Sequence, residues 1–223
     1  MSSDFNHVAA AILAFCLATQ TAIAGEDIPN CLYSFTVGPE PAPVEPCGAD
    51  TKHIGMDPHV LAVMRTFNIP TTAVIFKSCP GGRFLARPDS TDGTRFIVQY
   101  PSAAKSNYLA PIVHELAHVL QMRDAGSLEA LNPKKNSHRI ELGADFLSGL
   151  AFNSSLMQVK DKDFETNLEL AGSYKVEVDD HGPPEHRSAA FRRGLVRKEP
   201  FSELTIIQSL KYWYANDYQT LSR

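Results

Sequence analysis

The spacing of apolar residues changes partway along the chain. Between residues 71 and 100 they fall in short β-branched runs, TTAVIF at 71–76 and TRFIVQY at 94–100. Each predicts a strand. CPGG at 79–82 and Asp92-Gly93 supply turns, so a small antiparallel sheet is expected. Upstream, Asp57-Pro58 reads as a helix N-cap followed by proline at the first helical position. Val60, Leu61, Val63, Met64 and Phe67 then give a short helix its apolar face. After Asn107 the period is helical, with helices expected over 110–122, 137–153, 163–172, 184–195 and 202–218. Ser137 is the expected cap of the second. Pro111 fits only in a first turn, where its missing N–H costs nothing. A sheet followed by helices predicts an α+β fold.

The N-terminus follows another pattern. Val8 to Ala18 is an apolar run, VAAAILAFCLA, too short for an ordinary membrane span. Ala22-Ile23-Ala24 places small residues where a signal peptidase cuts, so 1–24 is expected to be a removed signal peptide and the protein to be secreted or periplasmic. The segment before the run holds Asp4 and no Lys or Arg, which departs from that pattern. Phe15 precedes Cys16 where a lipoprotein signal needs Gly or Ala. Residues 25–56 are Pro-rich, with EPAPVEP at 40–46, and read as an extended leader laid on a domain spanning 57–223.

With 223 residues and 43% hydrophobic content, the chain is long enough for one domain with a real core. Its net charge of −4 is spread without acidic or basic blocks. Nothing therefore points to nucleic acid or to a polybasic membrane contact. Export permits a disulfide. Cys31 with Cys47 is the simplest pairing, since both lie in the Pro-rich stretch; it leaves Cys79 free, and pairings with Cys79 are the alternatives.

The chemistry lies in HELAH, His114 to His118. Residues four apart share a helix face, so both imidazoles can reach one ion. Glu115, turned about 100° from His114, stays off the metal but beside it, where a carboxylate can take a proton from water. That is the logic of zinc hydrolases. Such sites need a third protein ligand. Gln121 and Asp124 stand where the long HExxHxxGxxH form has Gly and His, so the third ligand must come from elsewhere. Glu141, in RIELGADFLSG, is the preferred candidate, and His138, three residues before it, is the rival. Asp145 shares the Glu141 face and can orient a ligand histidine, His114 first among them.

HELAHVLQ, ELGADFLSG and DHGPPEHRSAAFRRG at 180–194 together resemble the neutral zinc metallopeptidases of bacteria, a gluzincin-like family with an HExxH helix and a later ExxxD helix. The resemblance covers about residues 107–195. It implies a zincin-like fold, Zn2+ held by His114, His118 and Glu141, Glu115 as general base and Asp145 behind the ligands. Gly143 stands where related members often carry Gln, and Val119 also departs from the family pattern; neither touches a ligand.

Further candidates are His181, expected to be catalytic as an oxyanion or substrate-binding group, with a loop cap as its plainer role. Arg187 can pair with Asp145 or with a substrate carboxylate. Tyr108 and Tyr174 are possible phenolic donors. TRFIVQY is expected at a sheet edge, where it could accept an extended peptide. The main expectation is an exported zinc-dependent peptidase acting on peptide or protein substrates. The alternatives are a non-catalytic zinc-stabilised binding domain and a metal-free helical interaction protein.

Overall fold

The computed structural model describes residues 46–80, 84–103, 108–156, 164, 166, 183–196, 201 and 203–221, apart from the side chain at 134. Residues 1–24, where a signal peptide is expected, Cys31, Tyr174, His181 and all but two residues of the helix expected over 163–172 lie outside them.

Helix α1 spans Pro58–Thr66. The Asp57 carboxylate caps it, accepting from the N–H groups of His59 and Val60 at 2.7 and 3.3 Å, as the Asp-Pro signal led us to expect. Three strands follow: β1 (Val74–Cys79), β2 (Leu85–Asp89) and β3 (Asp92–Pro101). Thr71–Ala73 forms a 3-10 turn, so β1 starts later than the β-branched run suggests.

The sheet is mixed, not antiparallel, with order β1-β3-β2. β1 runs parallel to β3 and β2 antiparallel to it. The reason is β2 itself, LARPD, whose proline and charges hide it in the sequence. Pro88 is tolerated because β2 is an edge. With β2 between β1 and β3 in the chain, β3 must return in the direction of β1. TRFIVQY therefore lies in the central strand, with Phe96–Gln99 paired on both sides, and is not a sheet edge among the described residues. The β2–β3 turn is Ser90-Thr91, not Asp92-Gly93, because Asp92 already pairs with Asp89. Asp89 Oδ1 closes the turn by accepting from Thr91 N and Oγ1 at 3.0 and 2.7 Å.

The described part of the leader is tied to the sheet. Gly48 N donates to Ser78 O at 2.8 Å, which sets Cys47 beside Cys79, and those two form the disulfide. The Cys31–Cys47 pairing is thereby ruled out. Asp50 accepts from Ile54 N, Gly55 N and the Tyr100 hydroxyl at 3.0, 2.8 and 2.7 Å, and Ile54 is fully buried.

Five helices complete the described fold: α2 (Leu109–Ala125), the short α3 (Leu128–Leu131), α4 (Pro133–Ser155), α5 (Pro184–Leu195) and α6 (Ile206–Asn216), with a final turn α7 at Tyr218–Leu221 after them. Pro111 sits in the first turn of α2, and Gly126, at φ 88°, ends that helix. α4 starts at Pro133, so Ser137 lies inside it and does not cap it. α6 starts four residues later than expected. Thr205 and Gln208 form a capping box there, with bonds of 2.9 and 3.3 Å.

α2 is the central helix. Every residue from Ala110 to Met122 is buried, between α1, α4 and the sheet. α4 packs on α2 and on α5. The α4–α5 crossing is close because it is made of glycine. A Cβ on Gly149 would lie 2.0 Å from Phe191 O, and one on Gly194 2.0 Å from Phe146 O. α6 docks through Trp213, fully buried and stacked on Phe146 at 5.1 Å. Among the described residues no helix is long and apolar enough to cross a membrane. The result is mixed α+β, as expected.

Candidate metal centre

HELAH lies in the middle of α2, within the stretch Ala110–Met122 that has no solvated face. His114 is 1% exposed and His118 and Glu115 are 0% exposed. Polar side chains are buried at this cost only when they have partners. For His114 and for the Nε2 side of His118, the partners come from α4. Glu141 and Asp145, four apart, point from one face of α4 to α2, and both are 0% exposed.

Three ligand-type atoms converge. His114 Nε2 lies 2.9 Å from Glu141 Oε2, His118 Nε2 lies 3.3 Å from it, and the two Nε2 atoms are 3.1 Å apart. His114, His118 and Glu141 thus form a buried group that could hold a metal ion.

Each imidazole is oriented from behind. His114 Nδ1 donates to Asp145 Oδ1 at 2.8 Å. A carboxylate only accepts, so the proton sits on Nδ1 and the Nε2 lone pair faces the cluster. His118 Nδ1 lies 2.8 Å from Gln121 Oε1. Gln121 Nε2 donates to the Ile140 carbonyl at 2.9 Å, which fixes the amide with its oxygen toward His118. His118 therefore also carries its proton on Nδ1.

Asp145 is held in turn. Arg187 of α5 approaches it with Nε to Oδ2 at 2.8 Å and Nη2 to Oδ1 at 2.9 Å, a two-point contact. Burial alone would raise the Asp145 pKa. The charge of Arg187 and the hydrogen bonds from Arg187 and His114 overcome that, and the carboxyl stays below its ordinary value. Of the two roles weighed for Arg187, the pairing with Asp145 is the one observed. Three carboxyls, of Glu115, Glu141 and Asp145, are buried with the one guanidinium of Arg187, and with all three ionised a divalent cation would balance the charge.

The other candidates stand apart. His138, one turn before Glu141, is outside the group; its Nδ1 is 3.3 Å from the Tyr218 hydroxyl and its ring 6.0 Å from that of His186. Burial, and then the neighbouring His186, lower its pKa. The Tyr108 hydroxyl donates to Asp57 Oδ2 at 2.7 Å, and burial with that bond pushes its pKa up to about 12. It serves the α1 cap. Gln121 is the residue that the motif reading passed over. Its signal was its place three residues after His118, on the same helix face. Comparison with protein-family models, with curated proteins and with solved structures returned no match.

Proposed function

We propose that the protein is an exported zinc-dependent peptidase of the gluzincin-like kind its motifs resemble. The observation that carries this is the convergence of two Nε2 atoms and one carboxylate oxygen, each imidazole held in the ligating tautomer from behind. Donors bound tetrahedrally at about 2.0–2.1 Å stand about 3.3 Å apart. The observed separations of 2.9, 3.1 and 3.3 Å lie at or slightly inside that spacing, so a small outward shift of the side chains would admit the ion. Two neutral nitrogens and one carboxylate are a catalytic-zinc donor set that leaves a position open.

When bound, zinc supplies Lewis acidity toward the scissile carbonyl and acidifies water. The chain's own residues do the rest. His114, His118 and Glu141 hold the ion. Glu115, next to a ligand on the same helix, takes the proton of the attacking water and gives it to the departing amine. Asp145 and Gln121 keep both imidazoles in place. The Cys47–Cys79 disulfide supports an oxidising compartment, and so export through the N-terminal segment.

The near-complete burial of the group favours a second reading, a closed structural zinc site in a binding domain. Glu115 weighs against it, since a structural site has no use for a buried carboxylate beside its ligands. Casein hydrolysis by the zinc-loaded wild type, which a closed site would lack, separates the two; the general base is tested in Glu115→Gln. It should keep zinc and lose casein hydrolysis by a factor of about 100 or more. Hydrolysis at the wild-type rate would remove Glu115 from the mechanism.

A further inference from the structure

We infer that Tyr214, on the C-terminal helix α6, is a positioning residue for the metal centre, acting through Gln121 to hold His118 in the tautomer that ligates. The inference rests on the metal-site reading above and extends it to a helix outside the HELAH and ELGAD motifs.

Gln121 links the two. Its amide nitrogen has two N–H groups, one on the Ile140 carbonyl at 2.9 Å and the other on the Tyr214 hydroxyl at 3.1 Å. With both acceptors in place, the amide oxygen is left to face His118 Nδ1 at 2.8 Å. A flipped amide would set its oxygen against the Ile140 carbonyl and aim its N–H groups at His118. The Nδ1 atom would then have to accept, the proton would move to Nε2, and the ligand lone pair would be lost. The Ile140 carbonyl, which can only accept, selects this orientation, and the Tyr214 hydroxyl anchors the amide so selected.

Gly143 is the second observation. A Cβ there would lie 2.0 Å from the Tyr214 hydroxyl and 2.8 Å from Gln121 Nε2. The meeting point of these two groups is therefore open only because residue 143, between Glu141 and Asp145, has no side chain. Burial holds the Tyr214 pKa above its ordinary value, so the hydroxyl stays protonated at any physiological pH. Its ring is fixed by the Arg139 guanidinium, 4.1 Å from the ring centroid, and by its neighbour Trp213 in the core. The reach of the hydroxyl is thus set by how α6 docks. Metal affinity and the docking of this helix are then linked, each favouring the other.

The test uses the full chain and its variants Tyr214→Phe and Gln121→Leu, with Tyr212→Phe, a more exposed ring on the same helix, as control. Zinc affinity is read by chelator competition, and ligand geometry by the visible absorption of the cobalt(II)-loaded protein. Circular dichroism reports the fold of each metal-free form. Gln121→Leu should weaken zinc about 10- to 100-fold and Tyr214→Phe about fivefold. Both should shift the cobalt bands, and Tyr212→Phe should change neither readout. If Tyr214→Phe lowers the melting temperature but leaves affinity and bands as in wild type, Tyr214 only packs and the inference fails. Should Tyr214→Phe not fold, an unchanged affinity in Gln121→Leu overturns it equally. A wild type that takes up neither metal overturns the metal-centre reading and this inference together.

Discussion

Asp145 Oδ1 lies 2.8 Å from His114 Nδ1 while the same carboxylate is gripped at two points by Arg187. One side chain thus joins three helices: it stands on α4, orients His114 on α2, and fixes α5. It has two separable jobs, and they can be measured apart. Asp145→Asn should weaken zinc binding about 10- to 100-fold by releasing the His114 tautomer. It should also destabilise the metal-free protein by about 3–5 kcal/mol, because the buried Arg187 loses its carboxylate. Adding Arg187→Leu should restore much of the stability but none of the affinity. Affinity and stability recovering together would show that Asp145 acts only through packing.

The Cys47–Cys79 bridge closes a separation of 32 residues. In the chain-entropy model such a loop contributes roughly 3–4 kcal/mol. Cys47→Ser and Cys79→Ser should each lower the unfolding free energy by about that amount, and reductant should affect the wild type alike. Denaturation curves that coincide with and without reductant would argue against the bridge.

Asp57 provides a pH test away from the metal. Burial raises its pKa, but hydrogen bonds from Tyr108, His59 and Val60 outweigh this and hold it below its ordinary value. The folded pKa is lower than the unfolded one. Its stabilisation is therefore complete above about pH 4 and is lost as the pH falls through the folded value. Asp57→Ala should cost about 1–2 kcal/mol at pH 7 and less at pH 3, by urea unfolding. An equal cost at both pH values would show that the charged form is not what stabilises α1.

Most of the described long helices and the His-His-Glu group were legible because their signals are local. His114, His118, Glu141 and Asp145 follow a four-residue spacing on two helices, and Asp57-Pro58 and Pro184 mark helix starts that the structure keeps. What escaped depends on contacts distant in sequence. β2 carries too little apolar pattern to be seen, and without it the direction of β3 came out reversed. Cys79 became the partner of Cys47 only through the backbone pairing of Gly48 with Ser78. Gln121 served in the sequence only to exclude another ligand spacing. Its role emerges when Ile140 and Tyr214, 19 and 93 residues away, are brought to its amide.

The most direct measurement is the metal content of the purified protein by elemental analysis after zinc loading, on wild type, Glu141→Ala and His138→Ala. About one zinc per chain in wild type and in His138→Ala, with much less in Glu141→Ala, is the predicted result, since His138 stands outside the group that converges on Glu141. No metal in the wild type, or loss only in His138→Ala, would contradict the His-His-Glu centre.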